Sequence, residues 1–378
     1  MAEFAERRHE LAEFMDRRGD WPADSVWLRK AVEALPRHEF APDRLWQWDG
    51  QAYGPVERGM DAERWASLVY GSPDEAAVTA VSSGGAASSS LSCQAVVVDM
   101  LDALDPEPGH HVLELGTGTG WNAALLAWRA GAGGQVTSVE VDPELAELAA
   151  ARLSASGTGA EVHVRTGDGG AGWREAAPYD RVISTYAVDR VPWAWVEQAR
   201  PGGRIVTPWG RLGHVALTVS EDGGSASGRM QGLAQFMPAQ GTGAAPDFTY
   251  VRGTSPAGHE GVFDRDPSPL HSNWHLRFAL RVALPEVRLR TAVDEDGVNA
   301  WLHDGVSSWA ALSATAGGGT AVHQGGPLRL VDLLETAWDR WLAAESPELY
   351  DFGMTVEPTR QYVWAWDAVT GPRWNTGP

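Results

Sequence analysis

Apolar positions recur along the chain with two different periods, and the change from one to the other lays out the elements. Phe4, Leu11, Phe14 and Met15 are spaced for one face of a helix within the first 25 residues, stopped by Gly19 and Asp20 before Pro22. A second helix is expected over residues 25–35, ahead of Pro36-Arg37-His38. From Trp48 to Ser92 the periodicity loosens, and residues 82–90 (SSGGAASSS) read as a small-residue loop. The helical period returns in QAVVVDMLDAL, residues 94–104. The stretch VLELGTGTGWN, residues 112–122, then runs from an apolar strand through glycines at alternate positions (Gly116, Gly118, Gly120) into the helix-forming NAALLAWRA.

Further strands are expected over residues 135–141, 161–165, 179–184 and 204–208, separated by a helix opening at Asp142-Pro143 and another near residues 192–198. Strands alternating with helices at this spacing predict a parallel, doubly wound α/β sheet, with ligands beyond the carboxyl ends of its strands. Past residue 242, HLRFALRVALPEVRL reads as a strand pair or a helix-strand unit, and SSWAAL as a short strand. Residues 327–344 read as an amphipathic helix burying Leu330, Leu334, Trp338 and Trp341, and FGMTVEP with QYVWAW as a hairpin. The expected division is 1–91, 92–241 and a smaller α+β segment over 242–378.

Charge narrows the partners. Fifty acidic residues against 30 basic ones give a net charge of -20, which disfavours nucleic acid and leaves a basic peptide compatible. Cys93 is the sole cysteine, so a disulfide framework and a Cys-based zinc site are both excluded. His271, His275, His303 and His323 lack ligand spacing, and no metal is expected. No 18-residue apolar run occurs, and the charged start MAEFAERRHE has no apolar segment behind it. A soluble, cytoplasmic protein without membrane contact is expected.

Three strand ends carry the chemistry: the glycine turn, Glu140 and Asp168. An acid roughly 20 positions after the glycines also suits a nicotinamide cofactor. The G-x-G-x-G spacing and the second acid favour S-adenosylmethionine, with Glu140 accepting from the ribose hydroxyls and Asp168 from the adenine amino group. Glu114, just before the turn, is expected near the cationic methionine portion. Asp142 has a structural task as helix cap.

In order along the chain, PRHEFAP (36–42), SSSLSCQAVVVDML (88–101), VLELGTGTGWNAALLA, VTSVEVDPELAELA, GDGG, YDRVIST and ARPGGRIVTPWG resemble the protein-L-isoaspartate O-methyltransferase family, over about residues 5–240. The resemblance implies a class I S-adenosylmethionine-dependent methyltransferase fold, Rossmann-like with N-terminal helices. It implies S-adenosyl-L-methionine as donor, S-adenosyl-L-homocysteine as product, and a peptide carboxylate as acceptor. Gly116, Thr117, Gly118, Gly120 and Asn122 on the turn, with Glu140, Val141, Asp168 and Gly169 on the following strand ends, would hold the cofactor. Ser92 would lie beside the acceptor carboxylate, with Ser90 and Tyr186 on the same side. A carboxylate is already ionised at neutral pH, so methyl transfer to it requires no general base. Ser92 also has the position of a cap for the helix starting near Gln94.

The chain departs from the family pattern in two places, both expected in the acceptor pocket. Residues 77–94 read AVTAVSSGGAASSSLSCQ in place of a Pro-Leu-Pro-Ile-Gly element and a Ser-x-Pro, with Gln94 where the proline would be. Tyr186 interrupts a run of small residues. The segment after residue 242 resembles that of actinobacterial members that modify ribosomal peptides of the graspetide or lanthipeptide type. The favoured expectation is therefore esterification of an Asp side chain in a modified ribosomal precursor peptide, leading to aspartimide and isoaspartate. The alternative is repair of L-isoaspartyl residues in damaged proteins, and a third reading is a non-catalytic cofactor- or peptide-binding scaffold.

Overall fold

A computed structural model describes residues 2–210, 212–240, 246–254 and 256–376. The chain divides into two units, residues 1–240 with 356–358, and residues 241–355 with 359–378.

In the first unit, α1 (Ala2–Arg18) buries Phe4, Leu11 and Met15 and ends at Gly19, whose φ of 75° suits a residue without a Cβ. Phe14, expected on that face, is exposed instead, under the guanidinium groups of Arg17 and Arg18. It stands one residue short of the Leu11–Met15 step, about 100° round the helix from Met15. Next come α2 (Trp27–Ala34), α3 (Arg37–Phe40), β1 (Arg44–Trp48), β2 (Tyr53–Glu57) and α4 (Ala62–Tyr70), with the Asp61 carboxylate capping α4 through the Arg64 amide.

The loop expected over residues 82–90 is largely a hairpin. β3 (Ala77–Val81) and β4 (Ala87–Leu91) pair antiparallel around a turn in which Ser82 N donates to Ala86 O at 2.8 Å. Together the four strands form a sheet in the order β2-β1-β3-β4, with β4 at the edge. Alanine and serine give the period-2 alternation too little contrast to stand out, although a short Gly-containing turn between two such runs is a hairpin pattern.

The glycine turn belongs to the larger sheet of this unit. Its elements are α5 (Gln94–Leu104), β5 (His111–Leu115), α6 (Trp121–Ala130), β6 (Gln135–Glu140), α7 (Pro143–Ser156), β7 (Glu161–Thr166), β8 (Tyr179–Ser184), α8 (Trp193–Gln198), β9 (Ala199–Trp209), β10 (Gly213–Val219) and β11 (Ala226–Leu233). Strands lie in the order β11-β10-β9-β8-β5-β6-β7. Neighbours from β9 to β7 are parallel, and β10 and β11 add antiparallel strands beside β9. Val112, Leu113, Val136, Val182, Ile205 and Val206 are fully buried, as strands covered on both faces require. Because the chain leaves β5 toward β6 and later returns to its other side at β8, the strand order reverses there and opens a crevice at the carboxyl ends. Asp142 caps α7 by accepting from the amides of Glu144 and Leu145, a contact worth about 1 kcal/mol.

The second unit holds α9 (Phe248–Arg252), β12 (His259–Val262), α10 (Ser268–Ser272), α11 (Trp274–Ala283), β13 (Arg288–Asp294), β14 (Gly297–His303), β15 (Trp309–Ala314), β16 (Thr320–Gly325) and α12 (Leu330–Ala343). Its antiparallel sheet runs β12-β16-β15-β14-β13. HLRFALRVALPEVRL thus resolves into a helix and a strand. α12 buries Leu330, Leu334, Trp338 and Trp341. β17 (Phe352–Val356) and β18 (Gln361–Ala365) are neighbours, and β19 (Arg373–Asn375) pairs with β18. Of the tryptophans in this unit, Trp309, Trp338, Trp341 and Trp364 are buried, whereas Trp274 and Trp366 are exposed. His275 accepts from the Leu349 amide and His303 from the Gly305 amide. Among the described residues no group of three or more His, Cys, Asp or Glu is placed to hold a metal ion, and no helix is long and apolar enough to cross a membrane.

Candidate functional site

Beyond β5 the chain turns through Gly116, Gly118 and Gly120, whose φ values of 95°, 53° and 88° are left-handed and therefore select glycine. Gly116 N donates to Val139 O at 2.8 Å, tying the turn to β6. At the end of β6 the buried Glu140 accepts from Gly118 N at 2.8 Å with one oxygen and from Asp142 N at 3.2 Å with the other. A carboxylate has about four acceptor positions, so two remain for a ligand. Asp168, exposed after β7, accepts only from Gly170 N at 2.8 Å, which leaves about three positions open.

These groups border a cavity of about 300 Å³. One wall carries Gly116, Thr117, Gly118 and Asn122, then Glu140, Val141, Asp168, Gly169 and Tyr186. Facing it are β4 and the start of α5, including Ser90, Ser92, Cys93, Val97 and Met100. Residues 235–240 close a third side.

Glu114 and Gly120 are placed elsewhere. Glu114 is fully buried behind the turn, where Asn122 Nδ2 donates to one oxygen at 2.8 Å and Ser138 Oγ to the other. Ser138 Oγ shares a second hydrogen bond with Thr117 Oγ1 at 2.6 Å. Glu114 therefore holds two cavity-lining side chains from behind instead of facing a cationic ligand group. Burial pushes its carboxyl up to about 7, against the two hydrogen bonds and with the help of the Glu140 charge. Gly120 begins α6, and a Cβ there would stand 3.3 Å from Leu153 Cγ, so this glycine serves the packing of α6 on α7.

Tyr186 occupies space that the glycines leave. A Cβ on Gly169 would lie 2.6 Å from its hydroxyl, and one on Gly116 3.1 Å from its Cδ1. Trp195 meets the ring edge-on at 6.3 Å and donates from Nε1 to Gly169 O at 2.8 Å. Burial raises the phenol above its ordinary range, and the charges of Asp168 and Glu140 raise it further, so it stays protonated at neutral pH.

On the opposite wall, the Ser92 hydroxyl forms no hydrogen bond among the described residues. The N-cap of α5 is Cys93, with no side-chain capping bond, so Ser92 is not the cap. Cys93 is partly buried, and burial pushes its thiol up. Gln94, expected in the acceptor pocket, lies outside the cavity lining. Its side chain is buried and Nε2 reaches Met15 Sδ at 3.1 Å, which makes this departure a contact with α1.

Two parts of the surroundings carried no readable pattern. Residues 235–240 follow β11, with Ala187 N donating to Met237 O at 2.8 Å and Gln240 Nε2 to Ser88 O at 3.3 Å. Arg37 is fully buried below the cavity-lining Trp121, its guanidinium 5.1 Å from the ring centroid and without a hydrogen bond among the described residues. Burial lowers it to about 10, which leaves it cationic at neutral pH. Its position within PRHEFAP gives no hint of this environment.

Two carboxylates with free acceptor positions and an unpartnered phenol in one cavity fit an adenosine-containing cofactor. The model of the family described as "Protein-L-isoaspartate(D-aspartate) O-methyltransferase" matches residues 9–243. Protein-L-isoaspartate O-methyltransferase of Methanopyrus kandleri is 32% identical over 217 residues, 56% of this chain and 82% of that protein. Protein-L-isoaspartate O-methyltransferase 2 of Archaeoglobus fulgidus is 32% identical over 240 residues, 63% of this chain and 95% of that protein. A solved structure described as a protein-L-isoaspartate O-methyltransferase aligns with TM-score 0.50 over 95% of this chain and 99% of its own, at 19% identity, a likeness of fold.

Proposed function

Because the chain belongs to the protein-L-isoaspartate(D-aspartate) O-methyltransferase family of S-adenosylmethionine-dependent carboxyl methyltransferases, we propose that it esterifies the free carboxylate of an L-isoaspartyl residue in a peptide or protein. A cytoplasmic setting is part of the proposal. The observation that supports it most is the unpartnered Ser92 hydroxyl, which faces the same cavity as Glu140 and Asp168.

Bound S-adenosylmethionine supplies an electrophilic methyl group. Glu140 accepts from the ribose hydroxyls while keeping the Gly118 amide, and Asp168 accepts from the adenine amino group. Ser92 donates to one oxygen of the acceptor carboxylate and fixes the line of approach of the other. No side chain needs to remove a proton, since the acceptor arrives ionised. Val97, Met100 and Phe236 give the cavity an apolar lining that limits water.

One observation favours a second reading, in which the acceptor is the side-chain carboxylate of an Asp in a modified ribosomal precursor peptide: the cavity wall over residues 87–93 belongs to the stretch that departs from the family pattern. The Gln94 departure no longer supports that reading, because its side chain contacts α1.

The test is transfer of labelled methyl to matched peptides, one with isoaspartate and one with Asp, each linear and in crosslinked precursor form. Labelling of linear isoaspartyl peptides of unrelated sequence is the expected result. Labelling confined to Asp in the crosslinked form would replace it with the second reading.

A further inference from the structure

The Tyr186 phenol lies between the two stretches that border the adenosine side of the cavity. Its ring edge meets Gly116 and its hydroxyl meets Gly169, the residue after Asp168. The side chain has little freedom to leave: Trp195 abuts the ring and is itself tied to Gly169 O, and Ser184 Oγ donates to Tyr186 O at 2.8 Å. The hydroxyl has no hydrogen-bond partner among the described residues, yet it lines the cavity and is largely enclosed. Tyr186 is partly buried, and a phenol hydroxyl in a cavity wall without a protein partner keeps its donor for a ligand. With Asp168 and Glu140 as its neighbouring charges, it remains a donor.

We propose that Tyr186 is a cofactor-contacting residue whose hydroxyl donates a hydrogen bond to the adenosine portion of S-adenosylmethionine. Adenosine presents ring nitrogens and ribose oxygens as acceptors, while its amino and hydroxyl donors are taken by Asp168 and Glu140. The three side chains are thus complementary, two accepting and one donating. This moves Tyr186 from the acceptor side of the cavity, where its place in the sequence puts it, to the cofactor side.

The inference rests on the cofactor reading above, and calorimetric titration of the full chain with S-adenosylhomocysteine separates the two. Tyr186→Phe keeps the ring against both glycines and removes only the oxygen. It should bind S-adenosylhomocysteine about tenfold more weakly than the unsubstituted chain, with an unchanged melting temperature and an unchanged KM for peptide. Equal affinity of the two proteins would overturn the inference, as would an effect confined to the peptide KM. Absence of binding by the unsubstituted chain would instead overturn the cofactor reading itself.

Discussion

The Gly118 amide donates to the Glu140 carboxylate at 2.8 Å, joining the middle of the glycine turn to the end of the next strand. One side chain thereby shapes the turn and presents acceptors to the cavity. Glu140→Gln keeps an oxygen for Gly118 but loses the charge and one acceptor, whereas Glu140→Ala loses both functions. Both variants should bind S-adenosylhomocysteine at least tenfold more weakly, since a hydrogen bond to a charged group contributes about 1.5–3 kcal/mol. Only Glu140→Ala should also unfold at clearly lower urea concentration. Calorimetry and urea titration measure the two effects separately.

Ser92 faces the cavity without a structural partner, so its removal should leave the fold untouched. Ser92→Ala is expected to slow methyl transfer about tenfold or more, to change unfolding free energy by less than about 0.5 kcal/mol, and to hold S-adenosylhomocysteine affinity within about twofold. A stability loss of about 1 kcal/mol with unchanged rate would give Ser92 a structural role in place of a catalytic one.

Glu114 makes stability depend on pH in the direction opposite to a salt-bridged acid. Its carboxyl sits at about 7 in the fold, above the ordinary value of 4.5. Below pH 4.5 both folded and unfolded chains hold the proton, and the group costs nothing. Between pH 4.5 and 7 the unfolded chain releases it first, so stability falls by roughly 3 kcal/mol and stays lower above pH 7. Glu114→Gln removes this pH dependence. Urea titrations of both proteins at pH 5 and pH 8 should show the variant gaining relative to the parent as pH rises; a constant difference would refute the assignment.

Gly120 should separate packing from binding. Its φ of 88° and the 3.3 Å approach of Leu153 both oppose a side chain, so Gly120→Ala should lose about 1–3 kcal/mol of stability. Because Gly120 does not line the cavity, S-adenosylhomocysteine affinity of the folded fraction should be unchanged. Calorimetry below the melting transition measures this.

The sequence was most readable where one residue type has one physical use. Strands buried on both faces must be apolar, left-handed turns select glycine, and Asp142-Pro143 has the form of a helix start. The sheet from β5 to β9 follows from these. Legibility failed where the chemistry was weak in contrast, as in the alanine- and serine-rich hairpin of β3 and β4, or where tertiary contacts decided. Gln94 looked like part of a pocket and meets Met15, while Glu114 adjoins the turn in sequence yet points behind it. Residues 235–240 are set beside the cavity by β10 and β11, strands that the α/β alternation does not foretell. In the second unit the helix over 330–343 was plain from its tryptophan and leucine stripe, because an amphipathic helix repeats its period over several turns.

Cys93, the one thiol in the chain, stands in the cavity wall next to Ser92. The protein therefore carries its own attachment point for a spectroscopic reporter, with no competing thiol to block. Since burial holds the thiol protonated beyond its usual range, alkylation should be slow at neutral pH and accelerate in alkaline buffer. A small maleimide or iodoacetamide dye would mark the acceptor wall alone, and the time course of its attachment would serve as a footprint of whatever fills the cavity.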